Sequence, residues 1–400
     1  MTIDGLIDRE ARGCFDFFWN EANDDPESPG FGLVRDRDDP RSPCSIASVG
    51  FGLAGLAIGA ERGWVGRGEA GARAAAALTT LHERAPAEHG FLYHFLDLRT
   101  ASRHRQCEVS VIDTSLCVAG AFAAGEYFGG DVRDLAERLY RRVEWPWYRD
   151  PDADRFRMGW RPERGFSGHW SGSDEQLVMY VLGAGSPTHP VPGSMFYRFE
   201  RRRGSWGGGP AFIHSSVGSL FTHQFSHAFI DFRGTADAEG VDWHANSTAA
   251  TLANRRYCTD NPEGFRTLGP DSWGLTACDG PRGYCGSYGA PPAGGGTRQP
   301  FANDGTVPPC GALGSFMFTP EESAAALRYY TGISGLAGPY GLRDAYNLDV
   351  DPPWFARNVI GIDKGISLLA IENHRTGFVW DLVRRSPWVR AGLERCGVRR

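Results

Sequence analysis

The chain has 400 residues, 41% hydrophobic and 22% charged, a balance that suits a folded globular protein and excludes a disordered or fibrous one. Its formal net charge of -6 leaves no global positive field for nucleic acid or an anionic membrane, and the one tight basic run, 201–203, reads as a solvated loop. No apolar stretch approaches the roughly 20 residues that span a bilayer. Met1 to Asp4 lacks the basic-then-apolar pattern of a signal peptide, so a cytoplasmic location is expected.

In chain order, apolar residues spaced by three and four predict a helix over 4–22, through Leu6, Ile7, Ala11, Cys14, Phe15, Phe18 and Trp19. Ser45 can cap a second helix running to about 62, and the alanine-rich 69–85 predicts a third. Alternation over 91–98 reads as a short strand. Helices follow at 112–127 and 131–143, and another from 173 to 183 or 185, ahead of Pro187. The second half is looser, with helices at 219–231, 244–259, 320–331, 364–373 and 387–396. Between them, 264–309 is rich in Gly, Pro and Asp, and a structureless loop of that length inside a compact domain is usually functional. With no linker composition anywhere, one domain over 1–400 is expected. About a dozen helices with few strands predict an all-α protein, and helices of 10 to 18 residues in antiparallel succession suit the (α/α)6 toroid, six inner and six outer helices with long active-site loops. Periodicity alone does not separate that toroid from an irregular bundle.

The nine cysteines are odd in number and widely spaced, which predicts reduced thiols. Cys278 and Cys285, seven apart in a glycine-rich segment, carry only a weak disulfide or metal signal. His223 and His227 have a metal-ligand spacing but lack the glutamate of HExxH and an obvious third ligand, so no metal and no cofactor is expected. No phosphate loop, GxSxG or dinucleotide fingerprint is present.

Two features carry chemistry. Aromatic residues make up 12% of the chain, and many sit beside Gly, Pro, Asp or Arg, among them Trp145, Trp147, Trp160, Trp170, Trp206, Trp243, Trp273, Tyr284 and Tyr288. Ring faces flanked by polar donors are what a sugar-binding cleft needs; the same rings also fill gaps under loops. The second feature is a set of acids where polar segments turn into helices: Asp113, Asp174, Glu175 and Asp363. Each alone can be explained as a helix cap. Several converging on one pocket would instead supply the acid and base of a glycosidase.

The chain also resembles the bacterial glucoamylase-like family, which includes the β-1,2-glucanases of glycoside hydrolase family 144. The resemblance rests on FDFFWNE at 15–21, SIASVGFGL at 45–53, VIDT at 111–114, WPW at 145–147, MGW at 158–160, DE at 174–175 and GSPTHP at 185–190. It continues through HQFSHAFIDFRG at 223–234, WGLTACDGP at 273–281, DGT at 304–306, YGLRDAYN at 340–347, GID at 361–363 and IENHRTG at 371–377. It spans nearly the whole chain, in order. It implies an (α/α)6 toroid, an oligo- or polysaccharide substrate and cofactor-free, inverting hydrolysis of β-1,2-linked glucan. By position it implies Glu175 as general acid, Asp363 or alternatively Asp344 as general base, and Asp113 as a ligand of the sugar at the cleavage subsite. His223, His227, Asp231, Arg233, Asp279 and Arg375 are implied to line the pocket, and Trp170, from the aromatic pattern, is a further substrate-binding candidate. The chain departs from the family at Ser173, where an aromatic residue more often precedes the Asp-Glu pair, and at Ser115 and Cys117. Transfer in place of hydrolysis, another glycan, or a pocket that only binds carbohydrate are the alternatives.

Overall fold

A computed structural model describes residues 1–294 and 301–400, and fourteen α-helices lie among them. They are α1 (Ile3–Asn20), α2 (Ile46–Glu61), α3 (Arg67–Glu83), α4 (Val111–Phe128), α5 (Gly130–Arg141), α6 (Trp145–Tyr148) and α7 (Leu177–Gly185) in the first half. The second half holds α8 (Phe221–Phe229), α9 (Trp243–Asp260), α10 (Pro309–Leu313), α11 (Pro320–Thr331), α12 (Gly361–Thr376), α13 (Phe378–Arg385) and α14 (Pro387–Arg395). Strands are short, and none of these helices is long and apolar enough to cross a membrane.

Composition sorts the helices into two kinds. α2, α4, α7, α8, α10 and α12 are buried on nearly every face, because small and apolar residues surround their axes. α1, α3, α5, α9, α11, α13 and α14 bury one stripe and expose the other. α2 packs on α4, α4 on α7, α7 on α8, α10 on α12, and α12 back on α2. α8 is tied to α10 by Gln224, whose Nε2 donates to the Gly311 carbonyl at 2.7 Å. One apolar core runs from Ile7 to Val398. The tightest crossing is α2 on α4: a Cβ added to Gly120 would lie 1.8 Å from the Gly50 carbonyl oxygen, so glycine is required for the approach.

Serine caps set two helix entries. Ser45 Oγ accepts from Ser48 N–H at the start of α2, and Ser110 Oγ accepts from Asp113 N–H at the start of α4. Three expectations need correction. The 91–98 segment forms two separate strand pieces, Phe91–Leu92 and Phe95–Leu96, which pair with Ala87–Glu88 and Cys44–Ser45 respectively. The helix expected from 173 begins only at Leu177, because Ser173 is held extended by its N–H to the Glu200 carbonyl. The 264–309 stretch contains an antiparallel hairpin, Cys278–Gly280 with Gly283–Cys285; its residues 295–300 lie outside the described residues. A four-stranded sheet that includes Arg155–Arg161 and Gly165–His169 also forms beside α4.

Candidate active site

The N-terminal ends of four of the buried helices open onto one cavity of 710 Å³, within the range of ligand pockets. α2 contributes Ala47, α4 contributes Ile112, Asp113 and Leu116, α8 contributes Phe221 and Phe225, and α12 contributes Ile362 and Asp363. Glu175 enters from the turn ahead of α7. Trp170, Met158 and Arg161 come from the sheet region, and Asp36, Arg37, His94, Glu108 and Tyr284 from loops and the hairpin.

Glu175 is fixed through its backbone. Its N–H donates to Asp174 Oδ1 at 3.0 Å, and its carbonyl accepts from Ser226 Oγ of α8 at 2.6 Å. Its carboxyl is surrounded by protein except where it meets the cavity. Burial, reinforced by the negative charges of Asp174 and Asp113, pushes its pKa well above the ordinary glutamate range. Burial also pushes Asp174 up to about 6.

Opposite charge gathers around Asp113. His94 Nε2 lies 3.7 Å from Asp113 Oδ2, while its Nδ1 is 3.0 Å from Glu108 Oε1; Glu108 Oε2 in turn accepts from Arg161 at 2.6 Å. Burial alone would depress the imidazole. Asp113, Glu108 and Asp36 outweigh it and hold the His94 pKa up at about 9, so the ring is a cation at neutral pH. The His94 contact holds Glu108 down at about 2.

Asp363 stands on the third residue of α12, in the cavity wall, and Asp344 lies behind it at 3% exposure. The hairpin closes this side. Asp279 N–H donates to Asp344 Oδ2 at 2.9 Å, and the Asp279 carboxylate accepts from Arg37 at 2.6 Å. Tyr284, directly across the hairpin from Asp279, lies under the Arg37 guanidinium and reaches the cavity rim, 54% exposed.

The structure thus brings Glu175, Asp113, Asp363 and Trp170 to one cavity, with Asp344 and Asp279 in the layer behind its wall. His223, His227, Asp231, Arg233 and Arg375 do not line it. α8 and α12 meet the cavity at their N-termini, and ten or twelve residues along a helix is ~15–18 Å. His227 is buried against Ser247 of α9, its Nε2 3.0 Å from the hydroxyl. His223 shares the wrong face of α8, near Phe212, and burial lowers its pKa to about 4. Asp231 and Arg233 pair with each other beyond the end of α8, and Arg233 covers the Trp380 ring. Arg375, in the last turn of α12, pairs with Asp8 of α1. Sequence reasoning missed Asp36, Arg37, His94 and Arg161 as cavity residues. The dense charges of 35–39 and the lone histidine in an alternating apolar segment were the available signals. All nine cysteines are free; Cys278 and Cys285 face each other across the hairpin.

The Glycoamylase family model, described as "Putative glucoamylase", matches residues 167–387, more than half of the chain. The chain belongs to this glucoamylase-like family. Among family relatives, it is 28% identical to an exo β-1,2-glucooligosaccharide sophorohydrolase (non-reducing end) of Parabacteroides distasonis, over 99% of this chain. It spans 58% of that relative's length. In structure it is similar to an endo-β-1,2-glucanase from Chitinophaga pinensis, in complex with sophorotriose and glucose, with TM-score 0.88, 26% identity and 100% and 99% of the two chains covered. It is also similar to a β-1,2-glucanase from Parabacteroides distasonis, with TM-score 0.86, 26% identity and coverage of 99% of this chain and 60% of the other.

Proposed function

We propose that this glucoamylase-like chain is a glycoside hydrolase of β-1,2-linked glucans, built as one (α/α)6 catalytic domain over residues 1–400. The toroid reading is supported by the circuit of buried helices from α2 through α4, α7, α8, α10 and α12 back to α2, with one-sided helices outside it. The activity is supported by what the relatives are named for and, above all, by one observation: carboxyls from three separate chain segments, Glu175, Asp113 and Asp363, share one cavity.

In this reading Glu175 is the general acid. Its raised pKa favours the protonated form that the oxygen of the scissile bond requires. Asp363 is the general base, activating water for attack on the anomeric carbon from the opposite face, which inverts the configuration. Asp113, held beside the His94 cation, binds the hydroxyls of the sugar at the cleavage point, the exposed Tyr284 ring offers a face to the sugar, and the buried Trp170 forms part of the cavity wall. Incubation with purified β-1,2-glucan and a panel of other β-glucans, followed by chromatography, tests this. Sophorose or short sophoro-oligosaccharides from β-1,2-glucan alone are expected, with the α-anomer appearing first by NMR. Products only from another glucan would refute the substrate; a β-anomer first would refute inversion; longer chains accumulating would indicate transfer.

A further inference from the structure

Asp363 does not stand alone. Its carboxyl is in hydrogen-bond contact with that of Asp344, and Asp344 is itself buried and outside the cavity. One Asp344 oxygen, Oδ2, is taken by the Asp279 N–H; the other, Oδ1, is buried with no hydrogen-bond donor beside it among the described residues. Two carboxylates in contact repel strongly unless a proton lies between them, and then each completes the other's hydrogen bonding.

We propose that Asp363 and Asp344 hold one proton in common and act as a single base, with Asp363 meeting the water and Asp344 as its buried positioning and proton-sharing partner. This rests on the hydrolytic reading above and deepens it.

The surroundings do not remove the need for that proton. Arg37 acts on both carboxyls from the cavity side, but it is engaged by Asp279. Lys364, the next residue of α12, is engaged by Glu10 at 3.1 Å. The Cys278 and Cys310 thiols also face the pair and burial keeps both neutral, while the Tyr284 phenol at the rim has its pKa raised further by the nearby carboxyls. Burial and the neighbouring carboxyl push Asp363 well above the ordinary range, while Asp344 is raised to about 6, mainly by burial. In the proposed resting site the Asp363 O–H donates to Asp344 Oδ1, the buried acceptor that otherwise lacks a donor. On attack, the water oxygen bonds to the anomeric carbon as its bond to the leaving oxygen breaks. Glu175 supplies the proton to that oxygen. The water's proton passes to the free oxygen of Asp363, and the proton Asp363 already held moves to Asp344 Oδ1. Turnover ends with both aspartates protonated and Glu175 ionised, and solvent carries one proton back.

The test is 13C NMR of protein labelled at its aspartate carboxyl carbons, with Asp344→Asn and Asp363→Asn used for assignment. In the wild type both carbons are expected to titrate in two steps, the first near pH 6 and the second clearly higher. Asp344→Asn keeps an oxygen for the Asp279 N–H and turns an amide donor toward Asp363, so Asp363 is expected to lose its upper step. The same variant is expected to lose at least ~10-fold in kcat with KM within about threefold. A single step for Asp363 in the wild type, or a titration unchanged by Asp344→Asn, overturns the proposal. Where one variant does not fold, the other still assigns its own carbon, and the wild-type titration of that carbon decides. It needs no substrate, so a two-step titration in a protein inert toward β-1,2-glucan would uphold the pair and reject the activity.

Discussion

Replacing Glu175 by Gln removes one proton and little else. The amide has the volume of the carboxyl, and the backbone bonds that fix residue 175, to Asp174 Oδ1 and from Ser226 Oγ, do not involve its side chain. General acid catalysis contributes ~10²–10⁴ in rate. At 1.36 kcal/mol per tenfold, the variant forfeits ~2.7–5.4 kcal/mol of transition-state stabilisation. On β-1,2-glucan, kcat and kcat/KM are expected to fall together by that factor with KM nearly unchanged. The loss has a chemical signature, because an aryl leaving group departs without protonation. On a nitrophenyl sophoroside the variant is expected to lose less than ~10-fold. Stability supplies a second check with its own sign. Glu175 keeps its proton in the fold to higher pH than in the unfolded chain, so the wild type loses stability as pH rises above the ordinary glutamate value of 4.5 toward the raised folded pKa. The Glu175→Gln variant, with no proton to lose at that position, is free of this penalty. The two proteins are expected to melt alike near pH 4, with the variant increasingly the more stable as pH rises. Equal losses on the glucan and the aryl glycoside, or near-wild-type hydrolysis of the glucan, would refute the assignment.

Three further outcomes follow from the same geometry. Asp174→Asn takes a negative charge away from Glu175, so the basic limb of the kcat/KM profile is expected to move to lower pH. Its gain in stability, followed by thermal melts, is expected to grow between pH 3.8 and about 6, with a ceiling of ~3 kcal/mol that the partial exposure of Asp174 reduces. Lys364→Met strands the buried Glu10 carboxylate, so denaturant titration is expected to show a loss of ~3–5 kcal/mol; adding Glu10→Leu should recover part of it. Gly120→Ala places a methyl group against the α2 backbone and is expected to cost at least ~2 kcal/mol by the same assay. It should also lower kcat/KM, because α4 carries Asp113.

How much of this was legible before the structure depended on the kind of signal. The near-continuous apolar runs of α2 and α4 announce helices with no solvent face, and Ser45 marks where α2 begins. Acids at helix starts were legible too, since capping and convergence call for the same residue at the same place. Which end of a helix meets the cavity is not written in its motif. The run 223–234 reads as one unit, yet only its first turns approach the cavity, and Asp231 and Arg233 satisfy each other far from it. Arg375 fails for the same reason at the far end of α12. Asp36, Arg37 and His94 were hidden differently. They occupy irregular segments, and only long-range contacts, such as Arg37 to Asp279 some 240 residues later, bring them to the site.

In the proposed mechanism one helical position carries two different chemistries. Asp113 and Asp363 are each the third residue of a buried helix, α4 and α12, and both line the cavity. Each therefore meets the positive end of its helix dipole, which by itself would treat them alike. Their neighbours separate them. Asp113 has the His94 imidazolium beside it, itself held charged by Glu108, whereas Asp363 has a second carboxyl behind it. A cation partner suits a carboxylate that grips hydroxyls. A carboxyl partner suits a group that must exchange a proton. Glu175 stands just outside α7, beyond the first turn, with two anions nearby, and so is the one of the three arranged to give a proton away. The repeated helix end delivers carboxyls to one place, and the loop-borne residues His94 and Asp344 give them different work.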